Sequence, residues 1–111
     1  MKKNFPQMVE ALTRRTLDGP GEVKAELRRE VADYAATPKP GNQTIPRDLL
    51  TYLFKVAVHS HKVTDADINR LKMGGYTEDE LYEVTISAAL GAGLARLNRG
   101  LELLNHNKDE S

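Results

Sequence analysis

The stretch "VAVHSHKVTDADINRL" places two histidines, His59 and His61, one residue apart, and two aspartates, Asp65 and Asp67, in the same arrangement. Imidazole and carboxylate together suggest either metal ligation or proton transfer. A carboxylate–imidazole metal site needs about three convergent ligands. On a regular helix, residues two apart point about 200° away from each other, so neither pair can close on one ion. No metal and no other cofactor is therefore expected. His61 keeps two readings. It continues an apolar stripe and lies near a helix C-terminus, where a packed or capping imidazole is favoured by the dipole. It also titrates near neutrality and could serve as a general base beside a cavity. Asp65, Asp67, Glu78, Asp79 and Glu80 read as first-turn acids, which the helix dipole favours by about 0.3–1 kcal/mol each.

A second set lies further on. Tyr82, Thr85, Ala89, Ala92, Arg96 and Arg99 fall on one face of a helix, small in the middle and polar at both ends. Such a face could line a pocket floored by alanine, with Tyr82 as a hydrogen-bond donor, Thr85 beside it and Arg96 as a bidentate clamp for a carboxylate. The other reading of Arg96 is an ion pair with an acid such as Glu83 or Glu102, from this or a neighbouring subunit. The basic doublets in "LTRRTL" and "LRRE" are flanked by acids and read as solvated faces.

The elements that must position these groups are helices; no strand-like alternation and no internal repeat is present. A first helix is expected over about Pro6 to Leu17, stopped by "DGPGE", where Pro20 cannot donate and two glycines loosen the backbone. A second is expected over about Glu22 to Ala35, with Val23, Leu27, Val31 and Tyr34 on one stripe. After the proline-rich "TPKPGNQTIP" comes a third, over about Arg47 to Ser60. Thr64 with Asp67 and Thr77 with Glu80 form two capping boxes, stapled by Val63 with Ile68 and Tyr76 with Leu81. They open a short fourth helix over Asp65 to Met73, ended by Gly74-Gly75 through a left-handed residue, and a long fifth helix over about Glu78 to Leu104. "NHNKDES" reads as a frayed tail.

The fifth helix carries Leu90, Leu94, Leu97, Leu101 and Leu104 at alternating spacings of four and three, a heptad-like seam. Beside it, Ser87, Gly91 and Ala95 repeat every four residues. Each glycine costs up to about 1 kcal/mol of helix propensity relative to alanine, and close packing of a neighbouring helix, within the chain or across a subunit boundary, is the compensation expected.

Composition bounds the rest. At 111 residues with 40% apolar and 29% charged residues, one domain is expected. Sixteen basic and sixteen acidic residues cancel, which disfavours a nucleic-acid grip or adhesion to anionic lipid. There is no cysteine, so disulfides, thiolate metal sites and cysteine nucleophiles are excluded. "MKKNFPQMVE" lacks the apolar run of a secretory signal, and no stretch approaches about 18 uncharged apolar residues. A cytoplasmic protein, with neither nucleic acid nor membrane as partner, is expected.

The segment "VTDADINRLKMGGYTEDELYEVTISAALGAGLARLNRGLELL", Val63 to Leu104, resembles the carboxymuconolactone decarboxylase and AhpD-like alkylhydroperoxidase superfamily. "GGYTEDELYEVTI" is similar to its glycine, capped turn and following helix, and "AALGAGLARLNRGLELL" to its closing helix. With "IPRDLLTYLFKVAV" the likeness covers about half the chain. It implies an all-α bundle of about five helices that assembles as a homo-oligomer. Residues 1–46 would supply N-terminal helices and a loop, 47–104 the core helices and 105–111 a disordered tail. The Cys-x-x-Cys pair of the peroxidase members is missing, and the motif histidine would fall near Ala66 or Asp67. Peroxide reduction needs a thiolate and a resolving thiol, so that activity is rejected. Two expectations remain. One is a cofactor-free enzyme of acid–base lyase type, or a binder of a small carboxylate or lactone, with His61 and Tyr82 as catalytic groups and Arg96 and Thr85 on the ligand. The other is a non-catalytic oligomeric interaction protein.

Overall fold

Gly91 is the position from which the architecture is best understood. A β-carbon there would overlap the carbonyl oxygen of Ala32 and lie 2.7 Å from its carbonyl carbon and 2.8 Å from its α-carbon. Two helix backbones therefore touch with no side chain between them. In the computed structural model, which describes residues 5–42 and 44–110, the chain forms five α-helices and, among the described residues, no strand. They are α1 (Phe5–Asp18), α2 (Ala25–Ala36), α3 (Arg47–Val58), α4 (Asp65–Met73) and α5 (Glu78–Glu110), with a 3-10 turn at Ser60–Lys62 between α3 and α4. The all-helical expectation holds, and no helix among the described residues is long and apolar enough to cross a membrane.

The core lies where α2 and α3 pack on the first half of α5. Val31, Leu49, Leu53 and Ser87 are fully buried, with Val84, Ala88 and Ala92 lining the α5 side. Small residues on α5 set the helix separation, and larger ones on α3 fill the space. Ile45 joins this core from the loop before α3, where the Asn42 side-chain oxygen accepts from the amides of Thr44 and Ile45 at 2.9 Å each.

Both capping boxes are complete. Asp67 N–H donates to Thr64 Oγ1 at 3.4 Å while Thr64 N–H donates to Asp67 Oδ2 at 2.9 Å. The Thr77–Glu80 pair matches it at 3.1 and 2.9 Å. Val63, Ile68 and Tyr76 pack on the core beside them. Helix α4 ends as its sequence requires. Gly75 has φ +107, its N–H donates to the Lys72 carbonyl, and that of Tyr76 donates to the Leu71 carbonyl. This Schellman closure favours glycine because a β-carbon disfavours positive φ.

Three boundaries differ from expectation. Helix α2 starts at Ala25 rather than Glu22, because the Glu83 carboxylate accepts from the amides of Glu22 and Val23 at 2.8 and 2.9 Å and holds that segment out of the helix. Helix α3 stops at Val58 rather than Ser60, since His59 leaves helical geometry at φ −135, ψ 54. Helix α5 continues through Asn105 and His106 to Glu110 instead of giving way to a tail. After Gly100 no glycine or proline interrupts it; Ser111 lies outside the described residues.

The Gly91 contact gives a paired prediction. Gly91→Ala gains about 1 kcal/mol of helix propensity but must push two backbones apart, so the net effect is a loss of about 1–3 kcal/mol. At Gly93 an added β-carbon would meet nothing within 4 Å. The propensity gain is kept there, so Gly93→Ala stabilises by up to about 1 kcal/mol. Urea unfolding followed by circular dichroism checks both signs.

Candidate functional site

His61 lies in the 3-10 turn after α3 and is exposed. It does not extend the α3 stripe, because the helix has already ended. Its ring meets His59 edge-on at 6.1 Å and 89°, and His59 in turn meets Phe54 at 6.0 Å. The pair forms an aromatic surface cluster. Among the described residues no group of three or more histidine, aspartate or glutamate side chains is placed to hold a metal ion.

The face predicted on the last helix divides in two. Tyr82, 67% exposed, and Thr85 line a hollow of about 250 Å³ with Tyr52, Ile68, Glu78 and Leu81. Thr85 is already engaged. Its hydroxyl donates to the Leu81 carbonyl at 2.6 Å and lies 2.6 Å from the Tyr52 hydroxyl, so Tyr52 is the donor of that second bond. Arg96 lies fourteen residues beyond Tyr82, about 21 Å along the helix, and lines a separate groove with Arg99. His61 lines neither. The structure thus joins Tyr82 to Thr85 and Arg96 to Arg99, but does not unite imidazole, phenol and guanidinium.

The Arg96 groove is a hollow of about 530 Å³. The ends of α2 and α3 and the middle of α5 form it, through Ala35, Ala57, Val58, Ala92, Ala95 and Leu103. Arg96 Nη2 donates to the Ala57 carbonyl at 2.7 Å. That carbonyl belongs to the last turn of α3, where the dipole favours a cation. Within the chain neither acid considered for Arg96 takes it: Glu83 caps the approach to α2, and Glu102 accepts from Arg99 at 3.5 Å. The guanidinium is oriented by a neutral acceptor and has no carboxylate partner among the described residues. Its remaining N–H groups form a fork suited to a carboxylate.

A third hollow, about 180 Å³, brings together Asp48, Tyr52, Asp67 and Arg70. Asp67, 8% exposed, sits at the centre of a buried pin. Its Oδ1 accepts from Lys55 Nζ at 2.8 Å, and its Oδ2 from the Thr64 amide and hydroxyl. The Lys55 hydrogen bond, then that of the Thr64 backbone, holds the carboxyl down from 3.8 to about 2. With both oxygens occupied, Asp67 ties α3 to α4 and is not available to a ligand. Arg28 is a further surprise. It is 5% exposed, with Nη1 donating to the Thr16 carbonyl at 2.9 Å and Nη2 to that of Gly19. Its Nε has no partner. The doublet read as a solvated face is solvated only at Arg29, which forks onto Asp18 at the surface. Arg28 closes the open carbonyls at the C-terminal end of α1. No local signal separates the two arginines, because their difference is set by where α1 packs.

Comparison with protein-family models, with curated proteins and with solved structures gives no match for this chain.

The Asp67 pin predicts a defined pH response. Its carboxyl titrates lower in the folded chain than unfolded, so the stability it contributes is complete above about 3.8 and is lost as pH falls through about 2. Asp67→Asn keeps the shape and removes the charge. Its thermal midpoint should therefore be lower than that of the unaltered chain at pH 5, and the gap should close by pH 2. A constant gap across that range would assign the loss to packing.

Proposed function

We propose that this chain is a cysteine-less protein of the carboxymuconolactone decarboxylase and AhpD-like type, cytoplasmic and homo-oligomeric, that binds a small organic carboxylate with an apolar body. One observation carries the ligand assignment: the Arg96 guanidinium, tethered at 2.7 Å to the Ala57 carbonyl and without an acidic partner among the described residues, stands beside a groove lined by alanines. The alanine and leucine walls suit the apolar body, and Arg99 adds a second cation near Arg96. The family and oligomer assignments rest on the likeness of Val63 to Leu104 and on the helical architecture that accommodates it.

Binding without turnover is the better-supported form of this reading. The lyase alternative needs a base beside the carboxylate, and His61 lines neither the Arg96 groove nor the Tyr82 hollow. Thiol chemistry is excluded by composition, since the chain has no cysteine.

Calorimetric titration with octanoate and with octanamide tests the proposal. Octanoate should bind and the uncharged amide should not. Arg96→Ala should weaken octanoate binding by about ten- to a hundredfold, the worth of charge-assisted hydrogen bonds, with unchanged helical circular dichroism. Arg96→Lys, which keeps charge but loses the planar fork, should fall between. Equal binding of acid and amide would refute the carboxylate assignment.

A further inference from the structure

On a regular helix His59 and His61 would point about 200° apart, but the chain is not an α-helix there. Helix α3 stops at Val58, His59 leaves helical geometry at φ −135, ψ 54, and a 3-10 turn follows over Ser60–Lys62. The Lys62 amide closes that turn on the His59 carbonyl at 2.8 Å. The two imidazoles then stand with centroids 6.1 Å apart and planes at 89°. That separation matches the span of one metal ion. An imidazole nitrogen binds a first-row divalent ion at about 2.0–2.1 Å, and the ring centre lies about 1.1–1.2 Å behind that nitrogen, so two rings on one ion have centroids about 6.3 Å apart when trans and about 5.1 Å apart at a tetrahedral angle. As they stand, His59 and His61 fit the trans arrangement. Among the described residues no hydrogen bond engages either ring, whose contacts are with Phe54 and with each other. His59 is half-buried with its ring edge-on to Phe54 at 6.0 Å, which limits its rotation, while His61 is exposed and free to turn onto an ion. Both residues follow directly on the C-terminal end of α3, where the helix dipole favours positive charge and where the Ala57 carbonyl already draws the Arg96 guanidinium.

We propose that His59 and His61 form a copper(II) site, two trans imidazoles in a square plane that water completes. The donor set selects the ion. Magnesium and calcium take oxygen ligands. Zinc is tetrahedral and draws three or four ligands from the protein, whereas no third histidine, aspartate or glutamate among the described residues joins this pair. Copper(II) stands highest of the first-row divalent ions in affinity for nitrogen ligands and prefers a tetragonal plane, so it is the ion that two trans imidazoles can hold. With positions left to water, the site exchanges its ion and does not staple the fold as a closed four-ligand site does. The geometry depends on where α3 ends. One more turn of helix would carry the two rings to different faces and abolish the site.

Titration of the full chain with cupric chloride, in a buffer that does not bind copper, should load one ion per chain, and pulsed electron paramagnetic resonance should show two coordinated imidazoles. His59→Ala and His61→Ala should each weaken binding by about a hundredfold, the worth of the second arm of a chelate, with unchanged helical circular dichroism. His106→Ala, at the chain's third histidine on α5, should leave both affinity and spectrum as they were. Zinc chloride in tenfold excess should not displace the copper. Copper held equally well by either single variant at the pair would mean an adventitious ion only and would overturn the proposal. So would a spectrum with one imidazole, loss of binding through His106→Ala, or ready displacement by zinc.

Discussion

The contact of Gly91 with the Ala32 backbone governs the structure. It draws α2 onto α5 with no side chain between them, and the neighbouring positions on α5, Ser87, Ala88 and Ala92, are correspondingly small. The chain has only six aromatic residues, four tyrosines and two phenylalanines, so it achieves its core by close approach of backbones more than by bulk. Packing at this density responds to single methyl groups. The glycine that weakens the isolated helix is thus the residue that allows the tertiary one to form.

That approach also determines what surrounds it. With α2 seated on α5, the Glu83 carboxylate reaches the amides of Glu22 and Val23 and fixes where α2 begins. Arg28 is carried into the interior, where it closes the last carbonyls of α1. In the last turn of α3, Lys55 is pinned to Asp67 of α4, and the Ala57 carbonyl accepts from Arg96. The Arg96 groove is what remains where α2 and α3 stop and α5 continues. Its alanine walls follow from the close packing just below it, and its cation is placed by a helix end. The length of α5 leaves the leucine seam on one side of the helix and the groove on another.

Much of this was written locally in the chain. The Thr64–Asp67 and Thr77–Glu80 boxes, the Gly74-Gly75 stop and the α4 bounds depend on residues at most six apart, and their geometry is decided by neighbours in sequence. The all-helical class and the small-residue face of α5 were legible for the same reason. What required the tertiary structure were the long-range pairings. Glu83 with Val23 spans sixty residues and Arg96 with Ala57 thirty-nine; neither has a local signature. The end of α3 at Val58 moved His61 out of the helix and away from any shared hollow with Arg96. The face that looked continuous from Tyr82 to Arg99 was divided by what packs on it: α3 and α4 near Tyr82, the ends of α2 and α3 near Arg96. A helical wheel reports direction around one axis, while a site depends on which other elements end nearby, and only the folded chain sets that.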